Sequence, residues 1–509
     1  MLPPATTRGQ MRPVNPDSAL HTILVQLDGT RLSLADANAS ALKQATSVLT
    51  AEAAYNAARG VVRRESGSFD PEAFFSLNYL NDKEASASFF AGAPVLNTTQ
   101  TTSTAGLRWD SPVGTHLEAT VNAIRMGTNS AFAFLNPQYT TVAALTFRQS
   151  LLGGLFVSAR KDLAKAEHDM EAARARYDQE VLATTTEVER NYWDLYAAER
   201  DFAVQKLTRD RADAFFNDTQ VRAKTGLIGP NQVSNARTFL AEQEILLLDS
   251  EENLDHLSDQ FASLIGMRPD SGKRRFITTD DPPAEFPPAD IDTLVARAKE
   301  SSLQLRAAQE DLEAKRALSS AAFWEALPRV TLVGSLGGNG LAGTAQDVIF
   351  QTDTLRTTVG GGFGDALRHA VRRDFPSWSV GVEVSVPLGL RSGLGEQDRL
   401  DAEVVMAEQE CVRQERQLEE LVRASHLELT HGLHRLKAAR EGVDAAQEQV
   451  RIGLIEFQNG RSTAFELVRL GADFAQAQQR YSQALVRGAK AAASLRQLTS
   501  GAYTAQPIE

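Results

Sequence analysis

Three histidines lie close together in the second half of the chain, and imidazoles that share a helix face are common metal ligands. His431 and His434 are three residues apart and follow His426, so a helix here would present two imidazoles on one side. A zinc site needs further ligands in tetrahedral reach, and the neighbouring sequence suggests none. We therefore predict no metal site at these histidines.

A glycine-rich segment, Gly360-Gly-Gly-Phe-Gly364, also needs weighing, because glycine loops cradle phosphate groups. No Lys-Ser or Lys-Thr follows it, and no order of strand, loop and helix surrounds it. The segment therefore predicts a flexible surface loop. No pairing of nucleophile and base emerges elsewhere, so we predict no catalytic residues, no cofactor and a protein that is not an enzyme.

Charge and hydropathy narrow the possible partners. The chain has 509 residues, of which 53 are basic and 65 acidic, with a net charge of -12. Nucleic acid binding needs clustered lysine and arginine, and no basic patch is present. The single Cys411 excludes an internal disulfide. No run approaches the about 20 apolar residues of a spanning helix, so the chain is either soluble or crosses a membrane as strands.

The second half of the sequence repeats the plan of the first. Gln149-Ser-Leu-Leu-Gly-Gly154 opens a long helical stretch that breaks at Thr225-Gly-Leu-Ile-Gly-Pro230. Ser385-Val-Pro-Leu-Gly389 opens another that breaks at Asn459-Gly-Arg-Ser-Thr463. Each break is followed by a further helical stretch of nearly equal length. This spacing predicts two copies of one supersecondary unit that share a core.

Long segments without glycine or proline indicate the helices. The longest in the first copy is Leu155–Thr225, and Asn231–Ile265, Arg31–Arg59 and Ala289–Leu327 are equally unbroken. A helix of about 70 residues would be about 105 Å long and needs neighbours along its whole length. We therefore predict elongated helices that pack against each other.

The apolar spacing in these helices is that of a coiled-coil seam, with steps of three, four or seven. The residues of the seam are Val181, Val188, Tyr192, Leu195 and Phe202 in the first copy, and Leu418, Val422, Leu429, Leu433, Leu436, Val443, Val450, Leu454 and Phe457 in the second. The other faces carry Glu, Gln, Arg, Lys and Ala. A solvated antiparallel coiled-coil rod fits this part of the sequence equally well.

The segments between the helices favour strands. Residues 377–388 alternate strictly, with Trp378, Val380 and every second residue after them apolar. Weaker patterns lie at 139–148, 75–79 and 330–336, and a hairpin is predicted over 105–126. Strands of about 10 residues with one apolar and one polar face suit a membrane barrel, although a soluble sandwich has the same pattern.

Four to six such strands cannot close a barrel alone, and open edges cannot face lipid, so the barrel must be shared between chains. Four strands from each of three chains would give 12. The segments Leu80–Thr102 and Gly337–Phe375 are rich in glycine and small polar residues and predict loops at the barrel mouth. Met267–Asp290, with two Pro-Pro pairs, predicts a linker between the copies.

Together these residues resemble the TolC family of outer membrane efflux ducts, over about residues 31–500. The resemblance rests on the order of several short motifs. They are Gln149-Ser-Leu-Leu-Gly-Gly154, Val384-Ser-Val-Pro-Leu-Gly389, Arg222-Ala-Lys-Thr-Gly-Leu227, Val233-Ser-Asn-Ala-Arg237 and Phe457-Gln-Asn-Gly-Arg461. It implies an α+β membrane protein in which three protomers form one cylinder. The resemblance further implies that a 12-stranded barrel lies in the outer membrane and that a barrel of long antiparallel coiled-coil helices reaches into the periplasm.

The resemblance also implies a periplasmic tip at the two helix turns, where an adaptor docks and the tunnel narrows. The residues at this tip are Thr225, Gly226, Leu227, Asn459, Gly460 and Arg461. Glycine allows the tight backbone of a turn, so these residues also fit a turn without a docking role. The family narrows the tip with two carboxylates. The first position is Glu466, but the second is Arg469, which puts cation selectivity in doubt; a solvated helix face is the alternative.

Our leading hypothesis is a passive exit duct of a tripartite efflux or type I secretion system. It would lie in the outer membrane of a Gram-negative bacterium, contact lipid, and work with a periplasmic adaptor (membrane fusion) protein and an inner-membrane pump. The helices at the tip would slide and untwist when the adaptor engages. One alternative is a soluble coiled-coil scaffold. A periplasmic adaptor is disfavoured because adaptors have one helical hairpin and this chain has two.

The sequence divides into five predicted segments. They are a polar N-terminal extension (1–30), the first repeat (31–266), a linker (267–290), the second repeat (291–500) and a C-terminal tail (501–509). The first 30 residues show no apolar region of a secretory signal, although the hypothesis requires export. No N-terminal cysteine supports a lipid anchor.

Overall fold

The computed structural model describes residues 16–88, 91–226, 228–283, 286, 290–350, 353–459 and 461–501. The helices within these residues are α1 (Pro16–Val25), α2 (Leu34–Gln44), α3 (Thr46–Gly67), α4 (Lys161–Lys224), α5 (Pro230–Ile265), α6 (Ile291–Ser301), α7 (Leu303–Ala326), α8 (Phe363–Arg372), α9 (Arg391–Gln458) and α10 (Ala464–Leu498). The strands are β1 (Thr30–Leu32), β2 (Glu72–Ala85), β3 (Val95–Asp110), β4 (Thr115–Thr128), β5 (Leu135–Leu152), β6 (Phe276–Thr278), β7 (Arg329–Ala345), β8 (Val348–Phe350), β9 (Asp353–Leu355) and β10 (Phe375–Ser385).

The predicted pairs of long helices are confirmed. With 64 and 68 residues, α4 and α9 are each about 100 Å long, and each is followed by a helix of about half that length. The predicted helices over Arg31–Arg59 and Ala289–Leu327 are instead split in two. The splits fall at Ala45 and Ser302, which are both extended although neither is glycine or proline. None of the helices in the described residues contains an apolar stretch of membrane-spanning length.

Both halves contain a short strand followed by two helices, by long strands and then by two long helices. They differ in that the first half begins with α1 and has four long strands, whereas the second has two, with β8, β9 and α8 between them. The two short strands, β1 and β6, pair with each other in parallel, with Thr30 opposite Phe276. The segment 267–290 therefore contains a strand that the prediction of a linker did not include.

The chain separates into two compact units, each built from parts of both halves. We call Met1–Tyr55, Ala173–Ala307 and Cys411–Glu509 the helical unit, and Asn56–Ala172 and Ala308–Glu410 the sheet unit. These names apply to the described residues of each range.

The core of the helical unit lies along the predicted seam. Val188, Tyr192, Leu195 and Val422 are fully buried there, and Leu429 is nearly so. They belong to one cluster of apolar side chains that also includes residues of α5 and α10. The seam is therefore confirmed as buried at these positions, and burial of apolar surface stabilises the long helices.

The sheet unit contains one sheet of six antiparallel strands in the order β10, β7, β5, β4, β3, β2. A strand is present at each predicted position, although β10 ends at Ser385 and not at the predicted residue 388. The turn of the predicted hairpin lies at Ser111–Gly114, where Gly114 has φ +79. Six strands exceed the four per chain of the 12-stranded arrangement. Part of the predicted loops is also strand, because β2, β3 and β7 extend into 80–102 and 337–375 and α8 lies in the second range.

The pairing places apolar residues of neighbouring strands on one face of the sheet. Trp378 lies opposite Leu336, which in turn lies opposite Leu145. Val380 follows two residues later on the same face, and Phe75 shares that face on β2, opposite Ala105. Trp378 is 73% exposed, Phe75 70% and Val380 68%. The sheet thus has an exposed apolar face.

Polar and small residues predominate on the other face, which also carries Val142 and Val333. Ser379 lies opposite Ser335, with 2.7 Å between the two hydroxyl oxygens, and Glu383 lies opposite Thr331. On the same face of β4 are Thr120 and Asn122, which pair with Ala144 and Val142 of β5. The two faces therefore differ in polarity across several strands.

Candidate functional site

The two turns between long helices are the first candidate site. α4 ends at Lys224, and Gly226 follows with φ +73, a conformation that favours glycine. No other group lies within 4 Å of the place where a Cβ of Gly226 would be. Pro230 occupies the first turn of α5, where a missing N–H costs nothing. Thr225 and Gly226 are thus exposed residues of a tight turn, and Leu227 lies outside the described residues.

The second turn is held by both side-chain and backbone hydrogen bonds. The Asn459 amide donates to the carbonyl of Ile455 over 2.9 Å, and the Arg461 N–H donates to the carbonyl of Glu456 over 2.9 Å. Thr463 caps α10, because its hydroxyl accepts the Glu466 N–H at 3.2 Å. Asn459 and Arg461 are exposed, and Gly460 lies outside the described residues.

The predicted constriction pair lies just after this turn. Glu466 is in the first turn of α10, and its carboxylate accepts a hydrogen bond from the Ser462 hydroxyl at 3.2 Å. Arg469 is exposed one turn later. Among the described contacts there is no ion pair between Glu466 and Arg469 within one chain. Neither charge is therefore neutralised by the other among the described contacts.

A cleft of about 920 Å³ connects the two turns. It is bounded by the end of α4, the start of α5 and the start of α10. Phe215 and Phe465 face each other there with 6.1 Å between ring centroids, and Arg222 forms an ion pair with Asp218 at 2.8 Å. The sequence did not reveal this cleft, because it depends on the approach of residues about 250 positions apart.

A buried polar cluster ties α4 to the segment after β6. The Tyr192 hydroxyl accepts the backbone N–H groups of Thr279 at 2.9 Å and Asp280 at 3.1 Å, and lies 2.9 Å from the Asp280 carboxylate. Burial raises the pKa of Tyr192 to about 12. One turn along, Tyr196 donates to Asp281 at 2.8 Å, and burial also raises its pKa. These tyrosines therefore stay neutral as structural hydrogen-bonding groups.

Glu199 belongs to the same cluster and is 3% exposed. Its carboxylate accepts from the Thr278 N–H at 2.7 Å and from the Thr278 hydroxyl at 2.9 Å. Burial raises the pKa of Glu199 to about 7, although the hydrogen bonds from Thr278 oppose the shift. No signal in the sequence distinguished this glutamate from the many solvated ones on α4.

The histidines considered from the sequence lie along α9. Within the described residues, no group of three or more histidine, cysteine, aspartate or glutamate side chains is arranged to hold a metal ion. The glycine-rich segment 360–364 precedes and begins α8, where Gly362 is the N-cap. The chemistry of a phosphate loop has no further support there.

The sequence matches the family described as outer membrane efflux protein over residues 113–267 and 294–501, which is more than half of the chain. The chain belongs to the outer membrane efflux protein family. No curated protein matches the sequence. The family match confirms the predicted resemblance. Members of this family are channels rather than enzymes.

Solved structures of outer membrane channels have the same fold. CmeC of Campylobacter jejuni is 12% identical, with a TM-score of 0.63 over 93% of this chain and 87% of that one. VceC of Vibrio cholerae is 15% identical, with a TM-score of 0.62 over 92% and 96%. The open state of MtrE of Neisseria gonorrhoeae is 15% identical, with a TM-score of 0.62 over 92% and 89%. At these identities the likeness establishes the mixed α and β fold of this outer membrane efflux protein.

Proposed function

We propose that this outer membrane efflux protein is the exit duct of a tripartite efflux or type I secretion machine and carries substrates passively. It would lie in the outer membrane of a Gram-negative bacterium and extend into the periplasm. The observation that carries the proposal is the six-stranded sheet, which has an exposed apolar face, a polar face and two open edges. Such a sheet suits lipid on one side and water on the other.

The open edges support an assembly of several copies. β2 and β10 are the outer strands, and neither outer edge pairs with another strand among the described residues. Open edges are not tolerated in lipid, because their backbone groups would lack hydrogen bonds. Six alternating strands leave β2 and β10 running in opposite directions, so β2 of one copy can pair with β10 of the next.

The predicted homotrimer then gives eighteen strands, with six from each copy. Barrel diameter grows with strand number, and barrels of about 16 to 18 strands enclose an aqueous channel. We therefore propose a wider pore in the membrane than twelve strands would give. The polar face of the sheet, with Ser335, Ser379 and Glu383, would line this pore.

We propose that the two helix turns form the periplasmic tip and dock the adaptor protein. The docking residues would be Thr225, Gly226, Leu227, Asn459, Gly460 and Arg461. The exposure of the turns and the cleft beside them support this role, since a cleft can receive the end of a partner hairpin. Energy would come from the inner-membrane pump.

Glu466 and Arg469 would form the constriction at this tip. In a trimer each position becomes a ring of three like charges, and adjacent rings of opposite sign attract each other. Because neither charge pairs with the other within one chain, pairing between copies is open to both. We propose that such pairing holds the tip closed and weakens its preference for cations.

Conductance in planar bilayers tests the duct directly. We expect the protein to require detergent for extraction and to form stable water-filled channels in a lipid bilayer. Replacing Glu466 by Gln and Arg469 by Gln in separate variants should raise the frequency of opening, with the ion preference shifted in opposite directions. A protein that remains soluble without detergent and gives no conductance is the scaffold alternative, and the duct proposal is then lost.

Disulfide crosslinking tests the shared barrel. In a Cys411→Ser background, one cysteine replaces Phe75, Leu77 or Tyr79 in β2 and another replaces Val380 or Val382 in β10. Some of these pairs should link chains, because their positions share one face of the sheet. The products should be dimers and trimers with no larger species, because a closed ring of three copies has no free edge. The matched control places the β2 cysteine at Ser76, on the opposite face, and should not crosslink. The absence of any link between chains across the whole set contradicts the closed ring.

Photo-crosslinking tests the tip. A photoreactive residue at Thr225 or Asn459 should link to the purified adaptor, while the same residue at the exposed Lys437, in the middle of α9, should not. Equal yields from all three positions contradict docking at the turns.

A further inference from the structure

Helix α8 lies on the exposed apolar face of the sheet. Its buried residues Ala366 and Ala370 pack over Gly338 and Gly340 of β7, and a Cβ at either glycine would overlap the backbone of α8. Gly338 shares its face with Trp378 and Val380 by the alternation along β7 and β10. The helix therefore covers the side of the sheet that carries the exposed apolar residues.

The position of α8 along the strands is at one end of the apolar rows. The rows run along β7 from Val330 to Leu336, and α8 begins to cover β7 two residues later, at Gly338. β10 starts at Phe375, three residues after the end of α8, and Trp378 is its fourth residue. In a bilayer, this level would lie near the boundary between acyl chains and headgroups, at the end of the apolar rows opposite to Val330.

The exposed surface of α8 has an apolar flank and a charged outward side. Phe363, Leu367 and Val371 are four residues apart and form one apolar flank beside the buried alanines. Val371 is 63% exposed and Phe363 46%. The outward side carries Arg368 and Arg372, again four residues apart, so their guanidinium groups neighbour each other. A helix of this kind lies in the interface of a membrane, with its apolar flank in the acyl region.

The charges around α8 leave a net positive side. Asp365 accepts from Arg368 at 3.0 Å, and Asp374 pairs with His369. Arg373 donates to the Gly337 carbonyl at 3.2 Å. Arg372 is exposed and has no acidic partner among the described residues. The side of the helix that faces away from the sheet therefore presents arginine to whatever covers it.

We propose that α8 binds the phosphate groups of anionic lipids at the membrane surface, through Arg368 and Arg372, while Phe363, Leu367 and Val371 enter the acyl region. Guanidinium groups hold phosphate oxygens with two parallel hydrogen bonds, so a pair of arginines suits a lipid headgroup. Charge and continuity with the apolar face favour lipid over a second protein at this site. The inference rests on the proposed function, because it requires the apolar face to lie in a bilayer.

Tryptophan quenching in vesicles tests the lipid site. The full-length protein is reconstituted into phosphatidylcholine vesicles that contain either brominated phosphatidylglycerol or brominated phosphatidylcholine, both of which quench tryptophan on contact. Quenching by the anionic lipid should exceed that by the neutral lipid, and Trp378→Phe should remove this difference. Arg368→Gln and Arg372→Gln should each reduce the selectivity by about fivefold, the effect of about one arginine near an anionic surface.

The control is Arg435→Gln with Arg440→Gln, which removes the same charge from exposed positions of α9 and should leave the selectivity unchanged.

Conductance of the same vesicles separates the lipid-site proposal from the duct proposal. If no conductance is found and neither lipid quenches Trp378, the duct has failed. If conductance persists, equal quenching by both lipids overturns the lipid site alone, and so does selectivity that survives both replacements. Conductance without any quenching means that another copy covers α8, which also overturns it. Loss of selectivity in excess inorganic phosphate would show that soluble phosphate is the ligand.

Discussion

The six-stranded sheet and the core of the helical unit use the same kinds of side chain in opposite ways. In the helical unit Tyr192 and Phe261 are fully buried, and their ring centroids lie 6.0 Å apart. In the sheet unit Trp378 and Val380 are as apolar but largely exposed. The apolar residues of the helical unit are therefore buried within a single chain, whereas those of the sheet face are not.

This difference separates folding of the chain from the membrane insertion and assembly that we propose. Burial in the helical unit contributes to stability in water, because the apolar surface leaves the solvent on folding. The apolar face of the sheet contributes only when lipid or another copy covers it. Substitutions in the two regions should therefore affect different measurements.

The largest expected effect is in the helical core. Phe261→Ala should lower the free energy of unfolding by about 3 to 5 kcal/mol, because it leaves a cavity between Tyr192 and Phe276. The measurement is equilibrium unfolding of the detergent-solubilised protein, followed by helical circular dichroism. Trp378→Ala, on the exposed face, should change the same quantity by less than about 1 kcal/mol. Similar losses for both variants would break the comparison.

The next effect concerns the two faces of the sheet. Val380→Arg should disfavour insertion into vesicles by about 2 to 4 kcal/mol, since its side chain is on the face proposed to contact lipid. Ser379→Arg places the same charge on the opposite, polar face and should insert almost normally. The fraction of protein protected from protease in vesicles measures both. Equal insertion of the two variants would falsify the assignment of the apolar face to lipid.

Much of this architecture could be predicted from the sequence, because its signals are local. The turns at Gly226 and Asn459 follow from residues that break helices, and the two faces of β10 follow from strict alternation. The apolar spacing of Phe363, Leu367 and Val371 would also have indicated α8, but the glycines around it predicted a loop. The helical spacing was present in the sequence there, but the high glycine content led to the prediction of a loop.

The missed features depend on contacts between distant residues. β1 and β6 have three residues each, too few for any periodicity, and exist because they pair with each other. Glu199 resembles a solvated helix residue until Thr278 is placed beside it. The splits at Ala45 and Ser302 carry no glycine or proline. In these cases tertiary contacts decide the outcome.

The third effect depends on pH and belongs to the helical unit alone. The pKa of Glu199 is raised by burial from the ordinary value of 4.5 to about 7. Below pH 4.5 the folded and unfolded chains both hold this proton, and the contribution of protonated Glu199 to the stability of the folded chain is complete. As the pH rises towards 7, the unfolded chain loses the proton while the folded chain keeps it, so stability falls.

One pH unit corresponds to about 1.4 kcal/mol, which limits the loss to about 3 kcal/mol. Glu199→Gln should flatten this part of the pH dependence of the melting temperature. Glu187→Gln, at an exposed position on the same helix, should leave the slope as it is. A slope that survives Glu199→Gln assigns the pH dependence to other groups.

The smallest effect is expected at the second helix turn, which we propose as part of the periplasmic tip. Thr463 caps α10 by accepting the Glu466 N–H, so Thr463→Ala should weaken the first turn of that helix by about 1 kcal/mol. Thr225→Ala provides the control, because the Thr225 hydroxyl donates to the Arg222 carbonyl at 2.9 Å and caps no N–H group. Hydrogen exchange at the start of α10 measures the local opening. We expect faster exchange there in Thr463→Ala with an unchanged midpoint of global unfolding. This result would show that the start of α10 opens independently of global unfolding. A drop in the global midpoint would instead show that the second turn is coupled to the helical core.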